Sequence, residues 1–201
     1  MEQFSEAQRD AMYANMFALF NQLYPLSPAV LATIRRHTNI VFFKRRSIIL
    51  EHGKICRNCY FGLKGMVRAY YIKDDGQEIT SWFMKEGDII ISVQSFFTQT
   101  ESHEVLEALD DTLCISLRID VLEEIYRKFP EFNFVGRKLT EHYYIQMENR
   151  AFSLRMDDAR QRYDRLVAQH PDIITRVPIG YIASYLGISA ETLSRIRSGT
   201  Y

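Results

Sequence analysis

Between residues 5 and 24, Met12, Met16, Phe17, Phe20 and Leu23 recur every three or four positions, the spacing of an amphipathic helix. Pro25 and Pro28 interrupt it, and Ser27 is placed to cap a second, shorter helix through Val30, Leu31 and Ile34. From residue 39 to about residue 117 the texture changes. Short β-branched or aromatic runs lie at 40–43, 47–50, 60–63, 66–72, 79–83, 89–93, 105–109 and 113–117. Gly53, Gly65, the Asp74, Asp75, Gly76 triplet and the Gly87, Asp88 pair separate them. Eight short strands at this spacing predict an antiparallel sandwich, jelly roll or small barrel. The runs either side of Asp75 and Gly76 form the clearest hairpin.

Beyond Asp120 the period is helical to the end. Val121, Leu122 and Ile125 mark a short helix that stops before Pro130. Phe132, Val135, Leu139, Tyr143 and Met147 then step along one face of a long helix, from about residue 132 to 154, which no proline breaks. Such a stripe must be buried. The same helix of a second subunit is the expected partner, with packing on its own barrel as the alternative. Asp157 or Asp158 caps the next helix, whose inner face is Ala159, Tyr163, Leu166 and Val167, ending at His170 and Pro171. Two short helices follow. Pro178 suits the first turn of one, which carries Ile179, Ile182, Ala183 and Leu186; Gly187 turns the chain, and Ser189 caps the last, with Leu193 and Ile196 inward.

The 47% apolar fraction supports a packed core, and 25 basic residues balance 25 acidic ones. A strongly cationic nucleic-acid binder is thereby excluded, so any DNA contact must be local. The segment from Arg155 onward holds seven arginines against five acids, a net +2. The acidic start at Met1, Glu2 and Gln3 is unlike a leader, and no apolar run approaches the ~20 residues that span a bilayer. Three cysteines suit a reducing cytoplasm better than a disulfide framework. No membrane association is expected.

The stretch 178–197 has the mechanics of a helix-turn-helix. Ala183 is small where two helices must approach, Gly187 supplies the turn and Ile188 plugs the junction. The second helix then exposes Ala190, Glu191, Ser194, Arg195 and Ser198. Glutamate can accept from cytosine N4 and arginine can bridge guanine O6 and N7, and a four-residue spacing stacks Glu191 and Arg195 on one face. A plain helical hairpin in which they form a surface ion pair is the competing reading.

Barrel, long helix and C-terminal helix-turn-helix, in that order, resemble the Crp/Fnr family of regulators over essentially the whole chain after the first helix. The most specific match is Ser189 to Arg195. The family pattern there is Ser-Arg-Glu-Thr-Val-x-Arg, and Glu191, Thr192 and Arg195 match it while Ala190 replaces its first arginine. The barrel turns match at Gly53, Gly65 to Arg68, Asp74 to Gly76 and Glu86 to Asp88. The resemblance implies an α+β fold: an N-terminal jelly-roll barrel of the cyclic nucleotide-binding type over 1–130, a dimerisation helix over 131–155 and a DNA-binding domain over 156–201. It implies a bacterial, cytoplasmic transcription regulator that binds a palindrome as a homodimer and works with RNA polymerase. Its DNA contacts would be Ser189, Ala190, Glu191, Thr192, Ser194, Arg195, Arg197 and Ser198, and further phosphate contacts would be absent or supplied by Arg176, Arg197 and the preceding helix. Dimerisation would use Phe132, Val135, Leu139, Tyr143 and Met147.

Where the family binds a cyclic nucleotide, a glutamate and an Arg-Ser pair hold the ribose and phosphate. Here the corresponding pocket positions are Ser92, Val93, Ser102 and His103, flanked by Glu101 and Glu104. A buried phosphate needs cations or several donors, so cyclic AMP is not the expected ligand. An unidentified small-molecule effector, a divergent cyclic-nucleotide pocket and a barrel filled by its own side chains all stay open, as does a sensor module with a vestigial helix-turn-helix. Cys56 and Cys59 are too few with Cys114 for an iron–sulfur cluster and lack a second pair for zinc, so ordinary free thiols are expected, and no metal or cofactor. No serine elbow, phosphate loop or zinc-protease motif supports an enzyme.

Overall fold

A computed structural model describes residues 4–200; Met1, Glu2, Gln3 and Tyr201 lie outside the described residues, including the acidic start weighed against a leader. Helix α1 (Glu6–Leu23) begins at Ser5, whose Oγ accepts the Gln8 N–H (3.3 Å) while Gln8 Oε1 accepts the Ser5 N–H (2.8 Å), a reciprocal cap. Its buried face is Tyr13, Met16 and Phe20. Helix α2 (Pro28–His37) starts where Pro28 predicts, but the Ser27 hydroxyl does not cap it; it donates to Glu131 Oε1 at 2.8 Å.

All eight strand runs are strands: β1 (Asn39–Phe43), β2 (Ile48–Leu50), β3 (Asn58–Lys64), β4 (Val67–Ile72), β5 (Glu78–Met84), β6 (Ile89–Ile90), β7 (Glu104–Ala108) and β8 (Thr112–Arg118). They form two four-stranded sheets, ordered β1-β8-β3-β6 and β2-β7-β4-β5, in which β1–β8, β3–β8, β3–β6 and β2–β7 run antiparallel. The sixth run is shorter than its sequence suggests. Ser92 becomes the N-cap of a helix, α3 (Val93–Thr98), which the apolar run had concealed. Between β3 and β4 the backbone at Gly65 takes φ +100°, and a Cβ there would lie 2.7 Å from Thr112 Cα, so only glycine fits.

Helices α1, α2, α4 (Ile119–Lys128) and the first half of α5 (Pro130–Met156) pack with Phe61, Phe96 and Ile115 in one core. Phe20 meets Phe61 and Phe132 edge-on at 5.8 and 6.0 Å. This corrects the reading of the α5 stripe. Phe132 and Val135, at 4% and 0% exposure, are consumed by the intramolecular core and offer no surface to a second subunit, and Leu139 is half-buried against the same core. Tyr143 is half-buried and only Met147 is exposed. Tyr144 and Leu154 are exposed as well, and a further outward row is made by four other residues. Phe134, Ile145, Phe152 and Met156 are exposed and follow one another by eleven, seven and four residues, whole numbers of helical turns. That stripe lies on the side of α5 opposite Phe132, Val135 and Leu139.

The chain divides into two compact units, Met1–Ala69 with Phe83–Thr140, and Tyr70–Trp82 with Glu141–Tyr201. The second unit contains the rest of α5 and four shorter helices: α6 (Ala159–Gln169), α7 (Pro171–Arg176), α8 (Ile179–Leu186) and α9 (Ala190–Ser198). Asp158 caps α6 in a reciprocal pair with Gln161 (2.8 and 2.9 Å). Helix α7 is unexpected, its six residues being too short for a period to show. Pro178 is the N-cap of α8 with φ −55° and ψ 138°, one position before the first turn expected for it. Ala159, Leu166, Ile173, Ile182, Ala183, Leu186, Leu193 and Ile196 are the buried residues of these helices. No described helix is long and apolar enough to cross a membrane.

Candidate nucleic-acid interface

Three residues, Gly187 to Ser189, join α8 to α9. Gly187 adopts φ +67°, and its N–H with that of Ile188 closes the last turn of α8 onto Ser184 and Ala183 carbonyls. Ser189 Oγ accepts the Thr192 N–H (3.0 Å) and donates to Thr192 Oγ1 (2.9 Å), fixing the start of α9; losing such a cap costs about 1 kcal/mol. Leu193 and Ile196 anchor the helix at 0% and 2% exposure. That anchoring turns Ser189, Ala190, Glu191, Ser194, Arg195, Arg197 and Ser198 outward, all exposed, with Thr192 half-buried because its hydroxyl serves the cap. The predicted contact residues thus share one presented surface. Arg160 of α6 donates to the Ile196 carbonyl (3.4 Å) beneath it.

Sequence reasoning missed what holds α8. In the second unit the Ser184 hydroxyl accepts the Thr80 N–H (2.9 Å) and donates to the Glu78 carbonyl (3.3 Å), two backbone groups of β5, the edge strand of its sheet. Beside it Trp82 meets Tyr185 edge-on at 6.5 Å, and the Arg150 guanidinium sits 3.6 Å from the centre of the Tyr185 ring while donating to its carbonyl (2.9 Å). A serine inside an otherwise apolar helix is the only local signal of this docking, and it names no partner.

In the barrel, Ser92 and Ser102 do come together. Their hydroxyls lie 2.9 Å apart at 3% and 2% exposure, and Ser92 also donates to Glu104 Oε2 (3.1 Å). Val93 and His103 do not join them: Val93 is the exposed first residue of α3, at 58%, and His103 is exposed. What was read as a four-residue pocket is a closed serine pair with a carboxylate. Such a donor set does not fit a cyclic phosphate, because Glu104 repels the anion and already takes the Ser92 proton.

The three cysteines are free thiols. Cys56 Sγ donates to the Asn58 carbonyl (3.3 Å) and Cys59 Sγ to that of Leu117 (3.5 Å). Burial raises all three above the ordinary range, Cys59 and Cys114 to about 12.

Residues 40–129 match the family described as cyclic nucleotide-binding domain. No curated protein sequence matches the chain. Among solved structures, FixK2 from Bradyrhizobium japonicum shares 20% identity over 81% of this chain and 83% of its own, with a TM-score of 0.69. A protein described as a Crp/Fnr-family transcriptional regulator, from Eubacterium rectale, shares 20% over 92% and 87%, at 0.68. The catabolite activator protein of Thermus thermophilus shares 18% over 90% and 85%, at 0.56. The chain has the barrel-and-helix fold of the Crp/Fnr regulators, as the resemblance in sequence implied. Two of these structural neighbours are described as a transcriptional regulator and a catabolite activator protein.

Proposed function

We propose that the protein is a sequence-specific DNA-binding transcription regulator of the Crp/Fnr type, acting as a homodimer whose α8–α9 pair is a helix-turn-helix and whose α9 is the recognition helix. One observation carries the reading. Buried Leu193 and Ile196 orient α9 so that Glu191, Ser194 and Arg195 project together from a capped, rigid helix. Arg195 can take guanine O6 and N7 and Glu191 a cytosine amino group, while Ala190 adds only a methyl contact where the family places an arginine. The net +2 of the C-terminal segment is a weak electrostatic footprint, so affinity comes from two recognition helices engaging half-sites about 34 Å apart. The exposed stripe Phe134, Ile145, Phe152 and Met156 is what a second α5 would cover. The barrel, with Ser92, Ser102 and Glu104 closed on one another, does not serve as a cyclic-nucleotide receptor.

Selection from a random DNA pool at low and moderate salt tests this. A palindrome is expected, and Arg195→Ala should relax discrimination at one position per half-site by about 1–3 kcal/mol. An unchanged preference in R195A removes Arg195 from base reading. Folded protein that enriches no motif would favour an interaction module with a vestigial helix-turn-helix.

A further inference from the structure

The second unit holds a cavity of about 250 Å³ lined by α5, α6, α8 and the β5 residue Trp82. Three guanidiniums line it, Arg150, Arg162 and Arg165, together with His170 and the rings of Trp82 and Tyr185, and the lining contains no acidic side chain. The three arginines are not equivalent. Arg165 is neutralised by Asp157 at 2.9 Å. Arg150 donates to the Tyr185 carbonyl and lies over its ring, a neutral acceptor and a π face. Arg162 reaches the Leu154 carbonyl, at 3.5 Å through Nη1, and its Nε is a buried side-chain nitrogen without a hydrogen-bond partner. Arg150 and Arg162 thus hydrogen-bond to neutral carbonyls in one half-enclosed cavity, Arg162 with a donor unused, while the one carboxylate within electrostatic range of Arg162, Asp157, is hydrogen-bonded to Arg165 and Ser153. Burying such a donor is costly unless something accepts from it.

We propose that this cavity is a binding site for a phosphate dianion carried on a small planar molecule, with Arg162 and Arg150 taking the phosphate oxygens and Trp82 and Tyr185 the planar part. A carboxylate brings one charge and one edge; a phosphomonoester brings two charges and three terminal oxygens, enough for both guanidinium forks. The aromatic wall gives the rest of the ligand an apolar surface, as small-molecule sites usually do. The site does not rest on the DNA reading, because its residues and its signal are separate from the outward face of α9.

Trp82 is the only tryptophan of the chain, so its emission reports this wall directly. The full chain is titrated, without DNA and at constant ionic strength, with inorganic phosphate and with phenyl phosphate. A saturable change in Trp82 emission is expected for both, tighter for phenyl phosphate, and Arg162→Gln should weaken it about tenfold or more. Gln169→Glu, which places a carboxylate on an exposed position of the same lining, should weaken it likewise and decides the matter if R162Q does not fold. A response that fails to saturate, that chloride reproduces, or that a folded R162Q or Q169E leaves unchanged overturns the site.

Discussion

Exchanging Ile145 for glutamate is expected to leave a folded monomer and to weaken binding to a palindromic site by about 10² to 10⁴-fold. Ile145 is 56% exposed at the middle of the outward stripe, with Phe134 eleven residues before it and Phe152 seven after. An apolar row of this kind on a 27-residue helix is covered by a like row or left in water. A charge at its centre, facing its own symmetry mate, makes the dimer pay desolvation and repulsion together. Loss of the dimer separates the two recognition helices, and a weakly basic segment cannot compensate for the lost second half-site. Phe132→Ala is the contrasting change. It opens a hole among Phe20, Tyr126 and Val135 and should cost about 3–5 kcal/mol of stability while leaving the association of whatever stays folded intact. Sedimentation at micromolar concentration decides: I145E that still sediments as a dimer removes this stripe from the interface, and F132A that becomes a stable monomer restores the inner one.

The two stripes of α5 show where the sequence speaks and where it stops. Phe132, Val135, Leu139, Tyr143 and Met147 recur at three- and four-residue steps and announce an apolar face, but periodicity carries no information about what the face meets. The core of the first unit meets its first three members, Phe132, Val135 and Leu139. The outer stripe is sparser, with Lys138, Glu141 and Glu148 interspersed, and no window of two turns contains more than two of its members. The strands were legible because alternation and Gly or Asp turns are local properties, and the α8–α9 pair because a cap, a left-handed glycine and two buried residues are all fixed within twelve positions. Helix α3 was hidden because Ile89 to Val93 reads as a strand until Ser92 turns it. The arginine cavity was illegible: Trp82, Arg150, Arg162 and Tyr185 are brought together by tertiary packing alone, and each by itself is an ordinary residue.

Alkylation of native protein at pH 8 is expected to proceed at Cys114 about a thousandfold more slowly than at a free thiol. An ordinary cysteine has about a quarter of its sulfur as thiolate at that pH, whereas one with a pKa near 12 has about one part in 10⁴, and the thiolate is the nucleophile. Cys114 sits at 0% exposure on β8, its pKa raised to about 12 by burial, so access and ionisation both oppose the reagent. Cys59, half-buried on β3 and also raised to about 12, should be slowed by ionisation alone, and Cys56, 3% exposed with a raised pKa, by both. Denaturant should return all three to the common rate, which identifies the fold as the cause. Cys59 and Cys114 hold their protons more tightly folded than unfolded. Their contribution to stability is therefore complete below the unfolded value near 9 and declines as the pH rises from there toward about 12. Mass spectrometry after iodoacetamide, with and without urea, checks each site separately. Native Cys56 or Cys59 reacting at the free-thiol rate, or pairing under mild peroxide, would instead make the start of β3 and the residues before it a redox switch, because a thiol that ionises readily beside a second one is the chemistry a disulfide sensor requires.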